Sequence, residues 1–389
     1  MNRKLAIPLA TGLIVVVVLS LFLAFTGFSN NQTPRREFYV GVEYAYGNQV
    51  SEVEALVDRV KDYTNLFIVG SVELTFNRTA LTEACDYIAE AKLNFIVLFT
   101  SSNMYKYAHS GIENYTVFDW MTDATKKYGD QFLGVYRYDE PGGHQLDNGP
   151  SQIINSSVIN PNTTYAEVSQ SYVGNLSVFP YYYLNYAPKL YTADYSLYWF
   201  DYKANYSTVF AEFVGNESRQ RHIALCRGAA EAFDQNWGAI VTWKYNQAPF
   251  LESGDELYND LALAYSSGAM YAVVFSYPQL EDFGTLTQDH FDALRRFWNT
   301  LHTNPDSFGS NMATAAYVLP TDYGFGFRHP DDSIWGLFPA DALSPKIYQD
   351  IETLTARYGA HLNIFYNEPE TAALLSNYQA VYYFNQTIS

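Results

Sequence analysis

From residue 38 onward the chain alternates short apolar runs with longer stretches whose apolar residues recur at helical spacing. Phe38 to Tyr46, Leu66 to Gly70, Leu93 to Thr100 and Phe132 to Tyr138 have strand length and strand composition. Between them Val53, Leu56, Val57 and Val60 share one helix face, and Leu81, Ala84, Cys85 and Ile88 another. Ser51 with Glu54 and Ser253 with Glu256 have the spacing of capping boxes, in which each side chain satisfies an end amide. A helix from about Asp119 to Tyr128 precedes the fourth run. A fifth strand is expected within Leu190 to Tyr202, a sixth over Trp237 to Tyr245 and a seventh over Ala269 to Tyr277. Helices are expected over Ser218 to Phe233 and Thr287 to His302. Strand alternating with helix in this way predicts parallel βα units, and so a (β/α)8-type barrel over residues 37–305.

Two stretches depart from the alternation. His144 to Pro188 is polar and Tyr-rich, with one helix near Tyr165 to Leu176, and reads as an enlarged loop on the barrel lip. Beyond the barrel, Ala316 to Leu319, Leu362 to Tyr366 and Ala380 to Phe384 are three short strands, separated by helices near Pro345 to Tyr358 and Glu370 to Ser376. They predict a small α/β domain over residues 310–389, half of a doubly wound fold. Its long loop Asp322 to Trp335 carries Tyr323, Phe325 and Phe327, too much apolar surface to leave in water, and is expected to pack over the lip. Gly324 and Gly326 in that loop lack the third glycine of a dinucleotide turn.

Residues 1–30 are of another kind. Arg3 and Lys4 precede an uncharged, mostly apolar run from Leu5 to Phe28, enough to cross a bilayer, which takes about 20 residues. The segment reads as a signal-anchor with its basic end in the cytoplasm and the body outside, or alternatively as the signal of a secreted protein. Glycosylation sequons agree with export: Asn31, Asn77, Asn114, Asn155, Asn162, Asn175, Asn205, Asn216 and Asn385 each begin one. Composition narrows the partners. A formal charge of −18 argues against nucleic acid, which demands a basic face. Aromatic residues at 17% of the chain suit a dense core and equally suit surfaces that stack on sugars. Cys85 and Cys226 read as packed thiols on helix faces.

The densest chemistry lies at Tyr136-Arg137-Tyr138-Asp139-Glu140-Pro141-Gly142-Gly143, where a strand stops at two carboxylates and a turn. The C-terminal lip of barrel strands is where pockets form. A carboxyl fixed there among tyrosines is partly desolvated, which raises its pKa and suits Glu140 to general acid work. The other reading is a surface turn whose acids face water.

On Asp139-Glu140-Pro141 the chain resembles the TIM-barrel glycoside hydrolases whose acid/base Glu follows strand four in an Asn-Glu-Pro motif. Its last 80 or so residues resemble the flavodoxin-like domain that follows the barrel in some bacterial and archaeal β-galactosidases. The resemblance implies a carbohydrate substrate, no cofactor, and two carboxyls acting across one glycosidic bond. It also implies that Asp139 stands where the family has an Asn contacting the sugar. The family nucleophile ends strand seven, yet Val273 to Pro278 contains no carboxylate, and Glu281 is the nearest candidate. Asp201 and Glu43, near other predicted strand ends, are the next candidates. Tyr44, Tyr138, Trp199, Trp243 and Tyr277 are candidate sugar-stacking residues, with Arg137, Lys244 and Arg328 as candidate cations at the substrate. For Arg328 the competing expectation is an ion pair with Asp331 or Asp332.

Other chemistries find no motif. The seven histidines show no metal spacing, and neither a Gly-x-Ser-x-Gly elbow nor a phosphate loop occurs. Two functions compete: a membrane-anchored, exported glycoside hydrolase, and an inactive barrel that binds glycans or serves in an envelope layer. The missing strand-seven carboxylate and the dense sequons motivate the second.

Overall fold

The computed structural model describes residues 37–100, 115–147 and 149–388. Eight parallel strands close into a barrel in chain order: β1 (Tyr39–Tyr44), β2 (Leu66–Val69), β3 (Asn94–Leu98), β4 (Phe132–Tyr136), β5 (Leu190–Asp194), β6 (Thr208–Phe213), β7 (Asn236–Val241) and β8 (Tyr271–Phe275). β8 pairs back onto β1, placing Phe275 beside Glu43. The first helices are α1 (Val50–Val60), α2 (Val72–Thr75), α3 (Arg78–Glu90) and α4 (Val117–Tyr128). The β4–β5 connection holds α5 (Pro141–Leu146), α6 (Tyr165–Leu176) and α7 (Val178–Tyr183). After β5 come α8 (Tyr198–Lys203), α9 (Arg219–Ala232), α10 (Gly254–Ser266) and α11 (Gln288–Thr303). Among the described residues no helix is long and apolar enough to cross a membrane, and the apolar run from Leu5 to Phe28 lies outside them.

Strand periodicity sorts the side chains. In β1, Val40, Val42 and Tyr44 pack outward against helices, so Tyr39 and Glu43 point into the barrel. In β6, Val209, Ala211 and Phe213 face out, while Phe210 and Glu212 face in. β4 breaks the alternation with a bulge at Gly134, whose φ of +140° suits only glycine. The extra residue turns both Leu133 and Tyr136 inward. Tyr191, Phe210, Tyr271 and Val273 fill the barrel below, so the lumen is a packed core that ends in a shallow floor.

The fifth strand lies within Leu190 to Tyr202 as expected, as β5, and α8 follows it with Tyr198 to Tyr202 all buried. Two expectations need correction. A sixth strand, Thr208–Phe213, was not expected at all, so the runs expected as sixth and seventh are β7 and β8. The continuous apolar composition from 190 to 213 hides both boundaries; the break falls at Asn205, which adopts a left-handed conformation at φ 76°. The first helix is capped by a Gln49–Glu52 box, two residues earlier than Ser51 and Glu54 suggest. The Ser253–Glu256 box forms as expected, and both cysteines are buried and free.

The chain ends in a separate parallel sheet of order β10-β9-β11, made of β9 (Ala315–Leu319), β10 (Leu362–Tyr366) and β11 (Ala380–Tyr383), with α12 (Ser344–Tyr358) and α13 (Pro369–Ala372) between. This sheet does not stand alone. β10 lies so close to α9 that a Cβ on Gly228 would come 2.3 Å from the Ile364 carbonyl oxygen. Beside it the buried Arg227 guanidinium donates to Asn363 Oδ1 (2.7 Å) and to the carbonyls of Ser267, Asn311, Ala360 and Leu362. All five of its N–H groups are thereby used, which is what makes burying the cation tolerable. The loop Asp322 to Trp335 also docks on the barrel: Trp335 packs on Phe200 and Tyr172, Gln145 donates to the Trp335 carbonyl, and Ser196 donates to that of Gly326.

Candidate active site

The ends of β1, β4, β6 and β8 surround a cavity of about 470 Å³ at the C-terminal mouth of the barrel. Glu43, Asp139, Glu140 and Glu212 line it, with Leu98, Tyr136, Ile240 and Phe275 as floor and Trp243 and Tyr277 as wall. A second cleft of about 310 Å³ adjoins it, lined by Asp147, Tyr195, Asn216, Glu217 and Arg328, and it shares Glu140 and Glu212 with the first. These two carboxyls therefore stand where the two cavities meet.

Glu140 is aimed by backbone strain. Its φ of 46° and ψ of 54° are left-handed, costly for a residue with a Cβ, and Tyr138 is also at positive φ. Hydrogen bonds hold the turn: the Glu140 amide donates to Ala193 O (3.0 Å), and Glu140 O accepts from His144 N (2.8 Å). Glu212 needs no such device, because the strand period alone turns it into the mouth. The two carboxyl groups stand close enough to interact. Burial first, and then the Glu140 carboxyl, push the Glu212 pKa well above the usual glutamate value. Two like charges so close at low dielectric oppose each other, which favours the acid form of Glu212.

The remaining acids show the same trend. Glu43 is buried and leans on Gly70, where a Cβ would strike its carboxyl. Desolvation, followed by the charge of Asp139, raises its pKa to about 8. Asp139 is open to water in the mouth but ringed by protein, and desolvation lifts it above the usual range against the opposing hydrogen bond from the Tyr136 hydroxyl. In an eight-strand ring β1 lies opposite β5, so Glu43 faces the Glu140–Glu212 pair across the mouth. Among the described residues no cluster of three or more His, Cys, Asp or Glu is placed to hold a metal ion.

Of the residues singled out from sequence, Glu43, Asp139, Glu140, Trp243 and Tyr277 meet in the main cavity, and Arg328 lines the adjoining cleft. The loop does reach the lip that bears Glu140. Arg328 pairs there with Asp147 at 2.6 Å, while Asp332 instead accepts the Arg328 and His329 amides. The others lie elsewhere. Glu281 stands in an outer groove with Arg59 and Phe291, because the chain turns away after Pro278. Asp201 is sealed inside, on α8. Tyr44 faces outward and donates to Glu52, and Tyr138 packs on Phe179. Arg137 also points outward and stacks on Phe179. Trp199 packs on Phe233 and Tyr366, and Lys244 pairs with Glu256. Glu212 is the residue that sequence reading missed. Its signal is Phe210-x-Glu212 followed by Gly215, an inward-facing alternation that ends in an acid and a turn.

No family model matches the sequence, and no curated protein does. Among solved structures, α-L-fucosidase isoenzyme 2 from Paenibacillus thiaminolyticus aligns with a TM-score of 0.51 at 9% identity, over 88% of this chain and 59% of that one. The likeness is one of fold. An endo-β-1,4-mannanase from Thermotoga petrophila aligns at TM-score 0.43 and 9% identity, over 70% of this chain and 78% of that one. An endo-1,4-β-mannanase from Eisenia fetida aligns at 0.40 and 10%, over 70% and 92%. This chain thus spans under two thirds of the fucosidase.

Proposed function

We propose that the protein is a glycoside hydrolase in which Glu212 is the general acid and Glu140 its carboxylate partner. The observation that carries this is the close pair of carboxyls from two strand ends at the junction of two cavities. A glycosidic bond laid across that junction would keep one sugar in each cavity. Glu212 would pass its proton to the bridging oxygen as the C1–O bond breaks. Glu140 would stabilise the positive charge that develops at C1 and take part in the attack that completes hydrolysis. This reverses the sequence-based role of Glu140 as acid, because Glu212 is the more buried member. Contact between the acids favours the retaining spacing of about 5 Å over the wider inverting one. Trp243 and Tyr277, stacked 17° from parallel, would present a face to a sugar ring.

Several features support the wider setting of this reading. All seven sequon asparagines among the described residues (77, 155, 162, 175, 205, 216 and 385) are exposed, as carriers of glycans on an exported, anchored protein would be. The terminal strand order, with the first strand in the middle, supports its relation to flavodoxin-like sheets. A second reading, glycan binding without turnover, is favoured by one observation: Thr242 and Trp243 follow β7, where the resembling family carries its nucleophile. A screen of aryl glycosides and natural glycans with the full chain, its Glu140→Gln variant and its Glu212→Gln variant separates the two. Hydrolysis lost in both variants supports the enzyme; glycan binding with no hydrolysis by any of them supports the lectin.

A further inference from the structure

A second pair of carboxyls, Asp194 and Asp201, lies beneath the first and is fully buried. Asp194 ends β5, the strand between those that carry Glu140 and Glu212. Its Oδ1 accepts the amides of Gly142 (2.9 Å), Gly143 (3.0 Å) and Tyr195 (2.6 Å), and its Oδ2 also accepts Gly142 N at 3.0 Å. Gly142 and Gly143 follow Glu140 directly after Pro141. A Cβ on Gly142 would stand 2.4 Å from Asp194 Oδ2, so glycine there is what lets the carboxylate come this close. Below it, neither Asp201 carboxyl oxygen has a hydrogen-bond partner outside the pair among the described residues, and burial, then the Asp194 charge, pushes its pKa well above the usual aspartate value. Burial raises Asp194 too, to about 6, but the Asp201 hydroxyl and the amides oppose the rise.

We propose that Asp194 is a positioning residue: its carboxylate grips the Gly142 and Gly143 amides and thereby holds Glu140 in the left-handed turn that presses it against Glu212. The Ala193 carbonyl holds the turn from its other side by accepting the Glu140 amide. This explains why Pro-Gly-Gly follows the acid. Proline at the first helical position has no amide to leave unpaired, and the two glycines offer theirs without a side chain in the way. The inference rests on the Glu140–Glu212 reading for its consequence, but its test needs no substrate.

The readout is the titration of the Glu212 carboxyl, followed by ¹³C NMR in the full chain labelled at glutamate. Asp194→Asn keeps the shape but offers its NH₂ where an amide donor already sits. Glu140 should relax away, and Glu212 should titrate at lower pH than in the native chain. Removing the Asp194 charge itself acts in the same direction, so Gly142→Ala is the deciding variant. It keeps every charge and displaces the clamp together with the neighbouring Leu197, and it should lower the Glu212 titration as well. If hydrolysis is observed, kcat should fall about 10²-fold in both variants with KM little changed, the cost of a misplaced catalytic group. A purely structural Asp194 would lower the melting temperature and leave the Glu212 titration of the folded protein where it was, which would overturn the proposal. Should either variant fail to fold, the native chain still decides. Its Gly142 and Gly143 amide resonances should shift together as Asp194 titrates and exchange slowly with solvent. Free exchange at both would also overturn it. Absence of any turnover in the native chain would count against the glycosidase reading alone.

Discussion

The molecule contains two close acid pairs within one barrel quadrant, and they differ chiefly in what lies beside them. Glu140 and Glu212 open onto two cavities; Asp194 and Asp201 are sealed among Tyr172, Tyr206 and Cys226. Burial raises pKa in both pairs. A raised pKa is therefore not what distinguishes a reactive site from a structural one here. Access is. The open pair can pass its proton to a bound molecule, whereas the sealed pair can only pass the effect of its charge to the backbone above it.

Variants should separate the pairs by readout. The largest effect expected is on turnover. Glu212→Gln should lower glycoside hydrolysis by about 10²–10⁴-fold, the usual contribution of a general acid, with an unchanged melting temperature. The native rate should fall as pH rises through the Glu212 titration, since the acid form is the active one. Stability is the expected casualty at the other pair. Asp201→Ala leaves Asp194 beside a hole without its proton donor, and losing a donor to a charged group costs about 1.5–3 kcal/mol. Denaturant unfolding would measure it, and a loss below 1 kcal/mol would mean that water or another group replaces the donor. Per pH unit, the effect expected from Glu43 is smaller. Its pKa is raised from 4.5 to about 8, so the folded chain keeps a proton that the unfolded chain has lost. Its contribution is fully present below pH 4.5 and is lost as pH climbs toward 8, by at most about 1.4 kcal/mol per pH unit. Unfolding curves of Glu43→Gln across that range should be flatter by this slope.

Much of this was legible in the chain, and where it was not the reason is physical. The barrel followed from alternation of strand and helix periods, and Glu140 from an apolar run halted by acids and a turn. Trp243 and Tyr277 were legible as aromatics at strand ends. β6 was not, because a strand and a short helix buried on all sides carry no polar face to mark their limits. With β6 hidden, Glu212 has no strand end to stand on, and Glu281, Asp201 and Glu43 are the partners the sequence offers instead. Asp201 was noticed for its proximity to a strand end, but nothing local in the chain tells a sealed acid from an open one. That distinction is tertiary: it is made by α6, α8 and the docked loop through Trp335.

The contrast between the pairs rests most directly on the state of the open one, and a titration of the Glu212 carboxyl in the full native chain, repeated in Glu140→Gln, tests it. Glu212 should titrate well above the ordinary glutamate value of about 4.3, and the variant should bring it down, because Glu140 supplies the adjacent charge that favours the acid form. A Glu212 that titrates near 4.3 in the native chain, or one that Glu140→Gln leaves unmoved, would contradict an acid form favoured by the carboxyl at the neighbouring strand end.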